Sequence, residues 1–146
     1  MSESLKNIQE DIIEEFSMLE GDMEMIINYI IEIGDQMDPL DENARTEDNI
    51  VKGCQSKVWM SAQIADGKIQ FQADSNTAVT KGLVSILVRV LSNQTPEAIL
   101  NEDIFFPEKI GMNRFIGTQR SNGFGSMIKQ MKIYALAFSA KRTSNA

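Results

Sequence analysis

The sequence predicts an α+β fold, a small antiparallel sheet with helices packed on it, and three observations lead to that prediction. Apolar residues recur at three- and four-residue spacing near both ends of the chain, as in amphipathic helices. A central segment, 58–74, alternates apolar and polar residues around Asp66-Gly67, the strongest short-range signal for a β-hairpin. Helices that precede and follow an antiparallel sheet define the α+β class.

Two helices are predicted before the hairpin. The apolar residues that define them are Leu5, Ile8, Ile12, Phe16 and Leu19 in the first, and Met23, Ile26, Ile27, Ile30 and Ile33 in the second. Asp22 is suited to cap the second helix, and Gly34 to end it in the left-handed conformation. The acidic segment 35–49, which contains Pro39, is predicted to be a loop.

The hairpin register follows from the turn. A two-residue turn at Asp66-Gly67 favours the type I′ conformation and determines which residues face each other. Ile64 then faces Ile69 on an apolar face of the sheet, and Trp59 faces Asp74 on the opposite face.

Helices are also predicted after the hairpin. Residues 77–91 are mostly apolar and favour a buried helix, although their valines leave a strand open. Pro96 and Pro107 each indicate the start of a short helix, with proline at its first position. A last amphipathic helix opens near residues 120–124 and ends in Lys141 and Arg142, whose charges complement the helix dipole.

The length of 146 residues suits one domain, so residues 1–146 are predicted to form a single domain with a frayed tail at 143–146. The longest apolar stretch, 83–91, is too short to span a bilayer, so no membrane partner is expected. The N-terminus does not have the pattern of a signal peptide, and a lone cysteine fits a reducing compartment. We therefore expect a cytoplasmic protein.

Composition excludes several chemistries. The chain has no histidine and one cysteine, so Ser-His and Cys-His catalytic pairs cannot form. Zinc and iron–sulfur sites need several such ligands, and no metal site is expected. Residues 1–50 contain 15 acidic against two basic residues, which would repel nucleic acid. Such a segment is typical of a solvated surface, and a docking surface for a basic partner stays open.

Cys54 is the remaining candidate for chemistry. A single cysteine is more often a small buried apolar residue than a nucleophile. This one lies in a polar segment before a strand, next to Gly53, whose missing side chain leaves the approach open. Lys52 and Lys57 are placed to lower the pKa of its thiol. The residues alone leave an inert and a reactive Cys54 both open.

Gly53-Cys54-Gln55-Ser56-x-Val58-Trp59 resembles the signature motif of the SufE family, which includes CsdE. Three further stretches are similar to that family in the expected order: 73–75 leading into 81–83, 95–97, and 120–124. The resemblance runs from about residue 11 to 138. This chain departs from the family pattern at Ala73, Asn76 and Gly117-Thr118, which concerns loop geometry and partner preference more than chemistry.

The resemblance implies a function in iron–sulfur cluster assembly. Cys54 would accept persulfide sulfur from a cysteine desulfurase of the SufS or CsdA type, stimulate it, and deliver the sulfur to a scaffold of the SufBCD type. The desulfurase contains pyridoxal phosphate, whereas this chain is expected to have no cofactor, not to be an enzyme by itself, and to be a monomer or weak homodimer. The resemblance also suggests an IscU-like fold, and a cysteine loop that lies in an apolar cavity and swings out on docking.

The resemblance also nominates residues around Cys54. Arg120 is expected beside the cysteine loop, although a solvent-facing arginine is equally consistent with the sequence. The hairpin register places Asp74 beside Trp59, where it could accept backbone N–H groups of the loop, or simply cap the next helix. The expected loop and partner-binding residues are Gly53, Gln55, Ser56, Lys57, Trp59 and Gly123.

Three other functions stay open at this point. A cluster scaffold of the IscU type needs three cysteines, and this chain has one. A single-cysteine redox protein would form a sulfenic acid on Cys54 instead of a persulfide. A non-covalent adaptor of a desulfurase would leave Cys54 inert.

Overall fold

The computed structural model describes residues 4–144, with side chains as far as Lys141. Its α-helices are α1 (Leu5–Ser17), α2 (Met23–Asp35), α3 (Ala78–Leu91), α4 (Pro96–Asn101), α5 (Phe106–Lys109) and α6 (Met112–Ser144). The strands β1 (Val58–Ala65) and β2 (Lys68–Ser75) form one antiparallel pair, which confirms the predicted α+β class. Within this part of the chain, no helix combines the length and apolarity needed to cross a membrane.

The hairpin has the predicted turn and register. The φ angles are 54° at Asp66 and 77° at Gly67, as a type I′ turn requires. Trp59 pairs with Asp74 across the two strands. This pairing brings the end of β2 next to the start of β1, from which the preceding loop departs.

One face of the hairpin belongs to the core. Met60, Ile69 and Phe71 are buried, and β2 packs on α3. Ile64 pairs with Ile69 as predicted, but it is 41% exposed because it lies near the tip of the hairpin, beyond the edge of the helices. The apolar face is therefore shorter than the sequence pattern indicates.

Gly34 lies inside α2, which continues to Asp35, so the prediction that it ends the helix in the left-handed conformation is wrong. A Cβ on Gly34 would be 2.6 Å from the backbone nitrogen of Gly82 in α3. A Cβ on Gly82 would overlap the carbonyl oxygen of Ile30. The two glycines therefore allow the backbones of α2 and α3 to come into contact.

An ion pair joins α1 to α3 on the surface. Arg89 binds Glu15 through two parallel hydrogen bonds of 2.9 and 2.7 Å, and the Tyr29 hydroxyl donates to the same carboxylate at 2.6 Å. The Arg89 hydrogen bond lowers the pKa of Glu15. Burial, followed by the hydrogen bond to Glu15, raises the pKa of Tyr29 to about 12.

The segment between α2 and β1 is more ordered than the predicted loop 35–49. It contains two short 3₁₀ helices, Glu42–Ala44 and Glu47–Asn49. Leu40, in the same segment, is buried. The polar composition obscured this organisation because 3₁₀ turns are short and need no apolar stripe.

The helices after the hairpin include α3, so the strand alternative for residues 77–91 is wrong. The long helical part of α6 starts just after Gly117, close to the predicted start, and a short helical piece from Met112 precedes it; Gly117 separates the two with a non-helical φ of 81°. Pro107 is the second residue of α5, not the first. Of the predicted frayed tail 143–146, residues 143–144 are helical and residues 145–146 lie outside the described part of the chain.

We predict that Gly82→Ala destabilises the protein by about 1–3 kcal/mol, because overpacking forces α2 and α3 apart. The matched control is Gly125→Ala, at an exposed helical position where a Cβ meets nothing within 4 Å. That substitution should stabilise the protein by roughly 0.5–1 kcal/mol. Urea unfolding of both variants measures the two effects, and equal unfolding midpoints would contradict the close helix contact.

Candidate functional site

Cys54 lies on a loop whose two ends meet. The backbone N–H of Val51 donates to the carbonyl oxygen of Val58 at 2.8 Å, and Ile50 forms a bridge with Trp59. Residues 52–57 leave this closed base and return to it, and we call them the cysteine loop. The loop is short, so the position of the thiol depends on how the base is held.

The thiol of Cys54 rests against α6. Cys54 is half-buried, and its Sγ–H donates to the carbonyl oxygen of Gly123 at 3.4 Å. A Cβ on Gly123 would be 3.4 Å from the sulfur and 3.6 Å from the Cα of Cys54. These distances are ordinary van der Waals contacts, so the sulfur lies directly against Gly123 but does not require a glycine there.

Burial raises the pKa of the Cys54 thiol. The expectation that Lys52 and Lys57 lower this pKa is not met in the present conformation, since both lysines are exposed and loss of solvent dominates. The hydrogen bond to a carbonyl oxygen acts in the same direction, because only the protonated thiol can donate it. The loop therefore holds Cys54 as a thiol of reduced nucleophilicity.

A cavity of about 140 Å³ opens beside the sulfur. The residues that line it come from the cysteine loop, α3 and α6: Cys54, Gln55, Ser56, Thr80, Leu83, Gln119, Arg120, Gly123 and Met127. Its wall is mixed, since Leu83 and Met127 are apolar whereas most of the others are polar. The apolar cavity that the resemblance suggests is therefore only partly present.

Arg120 is brought into this cavity wall although it is 66 positions from Cys54 in the sequence. It lies in the first turns of α6 after Gly117 and is exposed. Within the part of the chain that the structure describes, its guanidinium forms no ion pair. A cationic group with free donors therefore lies at the mouth of the cavity, where it can meet an anionic sulfur or a partner.

Gly53 has two reasons to be glycine. Its φ of 94° lies in a region that residues with a Cβ avoid. In addition, a Cβ would overlap the hydroxyl of Ser126 in α6. Gly53 therefore lets the loop lie directly on α6, whereas the sequence interpretation was that it leaves the approach to Cys54 open.

The end of the cysteine loop is tied to the end of β2. The backbone N–H of Lys57 donates to Oδ1 of Asn76 at 3.0 Å, and its carbonyl oxygen accepts from the Ser75 hydroxyl at 2.8 Å. Asn76 departs from the family pattern, yet its side chain holds the loop. The hydroxyl of Ser56 accepts from Thr77 at 2.9 Å, so its own proton can still be donated toward the cavity.

Asp74 lies at the base of the cysteine loop and not in the cavity. Its side chain is 2% exposed, and its carboxylate accepts from the Ser75 N–H at 2.8 Å and from Arg45. The N–H groups of the cysteine loop are not among its described partners. Trp59, on the paired strand, is covered by the guanidinium of Arg45, whose centre is 5.6 Å from the ring centroid.

Sequence reasoning missed several residues of this region. Arg45 is the most important, since it contacts both Asp74 and Trp59. A signal was present, because Arg45 is one of two basic residues among the first 50. No sequence pattern marks the other missed cavity residues, Thr80, Leu83 and Met127, because they are ordinary residues of helices that happen to face the cavity.

Metal-binding side chains are not clustered in this region. Among the described residues, no group of three or more His, Cys, Asp or Glu side chains could hold a metal ion.

We predict that alkylation of Cys54 by iodoacetamide rises with pH to a midpoint above the ordinary thiol pKa, because burial disfavours the thiolate. Only the thiolate reacts, so the apparent pKa of the rate reports the pKa of the thiol. The same chain unfolded in urea is the control and should show an ordinary midpoint. A folded midpoint below that of the unfolded chain would mean that basic neighbours outweigh burial.

We predict that Gly53→Ala loosens the cysteine loop. The unfavourable φ should cost about 1–2 kcal/mol, and the overlap with Ser126 adds to that cost. Gly67→Ala is the matched control, with a φ of 77° but nothing within 4 Å of its Cβ. Unfolding measurements should show the larger loss for Gly53→Ala and partial recovery in the double variant with Ser126→Ala. Equal losses for the two glycines would rule out the steric contribution.

Comparisons with known proteins agree with this fold and place the chain in a family. The solution structure of a hypothetical protein from Thermus thermophilus is similar, with a TM-score of 0.73 and 19% sequence identity. The similar region covers 89% of this chain and 94% of that one, and the likeness supports the fold alone. The family model described as SufE, Fe-S metabolism associated domain, matches residues 10–135. Because this match spans most of the sequence, the chain belongs to the SufE family of domains associated with iron–sulfur metabolism.

Proposed function

We propose that this protein is a sulfur carrier that accepts persulfide sulfur on Cys54 from a cysteine desulfurase of the SufS or CsdA type. It stimulates that enzyme and delivers the sulfur to a cluster scaffold of the SufBCD type. The chain is a covalent partner in the reaction and does not turn over alone. The observation that carries this proposal is a single cysteine, half-buried beside a small cavity in a SufE-family domain.

The transfer step is an exchange between sulfur atoms. The Cys54 thiolate attacks the terminal sulfur of the desulfurase persulfide, as in thiol–disulfide exchange. A new bond forms between Cys54 Sγ and that sulfur, and the sulfur–sulfur bond of the desulfurase breaks. The electron pair of the broken bond stays on the desulfurase cysteine as a thiolate, so no oxidant is required. A second exchange of the same kind passes the sulfur to the acceptor.

The cavity supports the proposal because it is large enough for the added atom. By the same measure of cavity volume, roughly 10–15 Å³ is enough to hold one water molecule. The space beside Cys54 is about 140 Å³. Ser56 offers a hydroxyl proton toward it, and Arg120 offers free guanidinium N–H groups. These donors suit a persulfide, which carries negative charge when deprotonated.

The protonation state of the resting thiol supports a carrier that is activated on docking. A raised thiol pKa keeps Cys54 mostly protonated at neutral pH, so small disulfides and oxidants in solution react with it slowly. Docking that moves the cysteine loop out of its cavity removes this burial. The thiolate then forms next to the donor sulfur, where it is needed.

We predict that wild-type protein incubated with a cysteine desulfurase and cysteine gains the mass of one sulfur atom per chain. Cys54→Ser should gain none and should not stimulate the desulfurase, because the hydroxyl cannot carry the sulfur. Intact-mass analysis under non-reducing conditions measures the adduct. Dithiothreitol treatment should remove it, which distinguishes a persulfide from an irreversible modification.

The same experiment separates the alternatives. A gain of oxygen on Cys54 instead of sulfur would indicate a redox protein. Full stimulation of the desulfurase by Cys54→Ser would indicate a non-covalent adaptor. Either result would overturn the proposed carrier function.

A further inference from the structure

The base of the cysteine loop is held by a contact that the motif does not contain. Residues 46–50 lead from Arg45 directly into Val51, the first anchor of the loop. Arg45 contacts Asp74 at the end of β2 and lies over the ring of Trp59 at the start of β1. One side chain therefore attaches the incoming segment to both strands at the point where the loop begins.

Asp74 makes this attachment strong. Its side chain is 2% exposed, so its charge must be balanced by nearby cations and hydrogen bonds. Arg45 supplies a direct charge-assisted hydrogen bond. The Nζ of Lys81 is 3.7 Å from the other carboxylate oxygen, a longer contact. Lys81 belongs to α3, so it cannot hold the segment that precedes the cysteine loop.

Trp59 adds a second, independent contact. The guanidinium centre of Arg45 is 5.6 Å from the centroid of the indole ring, within the range of a cation–π interaction. Trp59 also forms the bridge with Ile50 that closes the loop base. Arg45 therefore packs on the residue that pairs with the start of the loop. A lysine would keep the charge but lose the planar group that binds the carboxylate and covers the ring together.

We propose that Arg45 is a positioning residue for Cys54. By binding Asp74 and covering Trp59, it holds Ile50 and Val51 against β1 and so keeps the cysteine loop in its half-buried position. Without Arg45 the loop base opens more often, and Cys54 leaves its contact with Gly123. The positioning role concerns the free protein, and its consequence for sulfur transfer rests on the proposed function.

The test compares Arg45→Met with Arg89→Met. Met keeps an unbranched apolar side chain and removes the charge. Arg89 is the matched control, because it also pairs with a carboxylate and is similarly exposed, at 47% against 39% for Arg45, but it joins α1 to α3. Both variants should lose some stability in urea. Only Arg45→Met should affect the cysteine loop.

Three measurements on the protein alone report on the loop. Trp59 is the only tryptophan of the chain, and its fluorescence should shift to longer wavelength in Arg45→Met as water replaces the guanidinium. Hydrogen exchange of the Val51 N–H and alkylation of Cys54 should become about tenfold faster, the factor that corresponds to ~1.4 kcal/mol for one lost charge-assisted hydrogen bond. Arg89→Met should change all three much less. Equal alkylation rates in the two variants would overturn the proposal.

A second pair of variants covers the case in which Arg45→Met does not fold. Arg45→Lys and Arg89→Lys keep the charge at each position. Faster Cys54 alkylation in Arg45→Lys than in Arg89→Lys supports positioning, and equal rates refute it. These measurements need no desulfurase, so they remain decisive if Cys54 accepts no sulfur. If it does, sulfur transfer to Arg45→Met should differ from that to Arg89→Met in its pH profile, because a freer thiol ionises at lower pH.

Discussion

The pairing of the buried Asp74 carboxylate with two cationic side chains organises the region from which the cysteine loop starts. The side chain of Asp74 is 2% exposed, and it is balanced by Arg45 from the segment before β1 and Lys81 from α3. Solvent screens part of this pairing because Arg45 is 39% exposed, but loss of either cation would leave the buried carboxylate with less compensation. The loop segment, the end of the hairpin and α3 are therefore held together. The cysteine loop starts from this junction, and its orientation follows from it.

Close backbone contacts give the second constraint on the site. Gly34 and Gly82 let α2 and α3 approach each other, and Gly53 lets the cysteine loop lie on α6. In each case a methyl group would fill the space that a neighbouring atom uses. The loop that carries Cys54 therefore lies on α6 because Gly53 has no side chain and because the thiol donates to the carbonyl oxygen of Gly123. This arrangement explains how a short polar loop can half-bury a thiol.

The resting site is built to restrain the thiol. Burial raises the pKa of Cys54, and the Gly123 carbonyl oxygen accepts only from the protonated form. A shift of one pKa unit corresponds to about 1.4 kcal/mol, or a tenfold change in the fraction of thiolate at a pH well below the pKa. Movement of the loop that exposes the thiol would therefore increase the fraction of thiolate and so its reactivity. The exposed Arg120 lines the same cavity as the Cys54 thiol.

The sequence by itself determined the fold class and the hairpin with its register, and it left Cys54 as the candidate for covalent chemistry. These follow from local rules: the period of the apolar residues, the Asp66-Gly67 turn and the count of cysteine and histidine. Only the tertiary structure decided that Gly34 is a packing residue, that a short helical piece precedes Gly117 in α6, and that the carboxylate of Asp74 is buried. The structure also revealed the contacts of Arg45 with Asp74 and Trp59. It showed that burial raises the pKa of Cys54, whereas the sequence predicted that nearby lysines lower it. The physical reason is that burial, close approach and charge pairing depend on residues distant in the chain, and no local pattern encodes which of them meet.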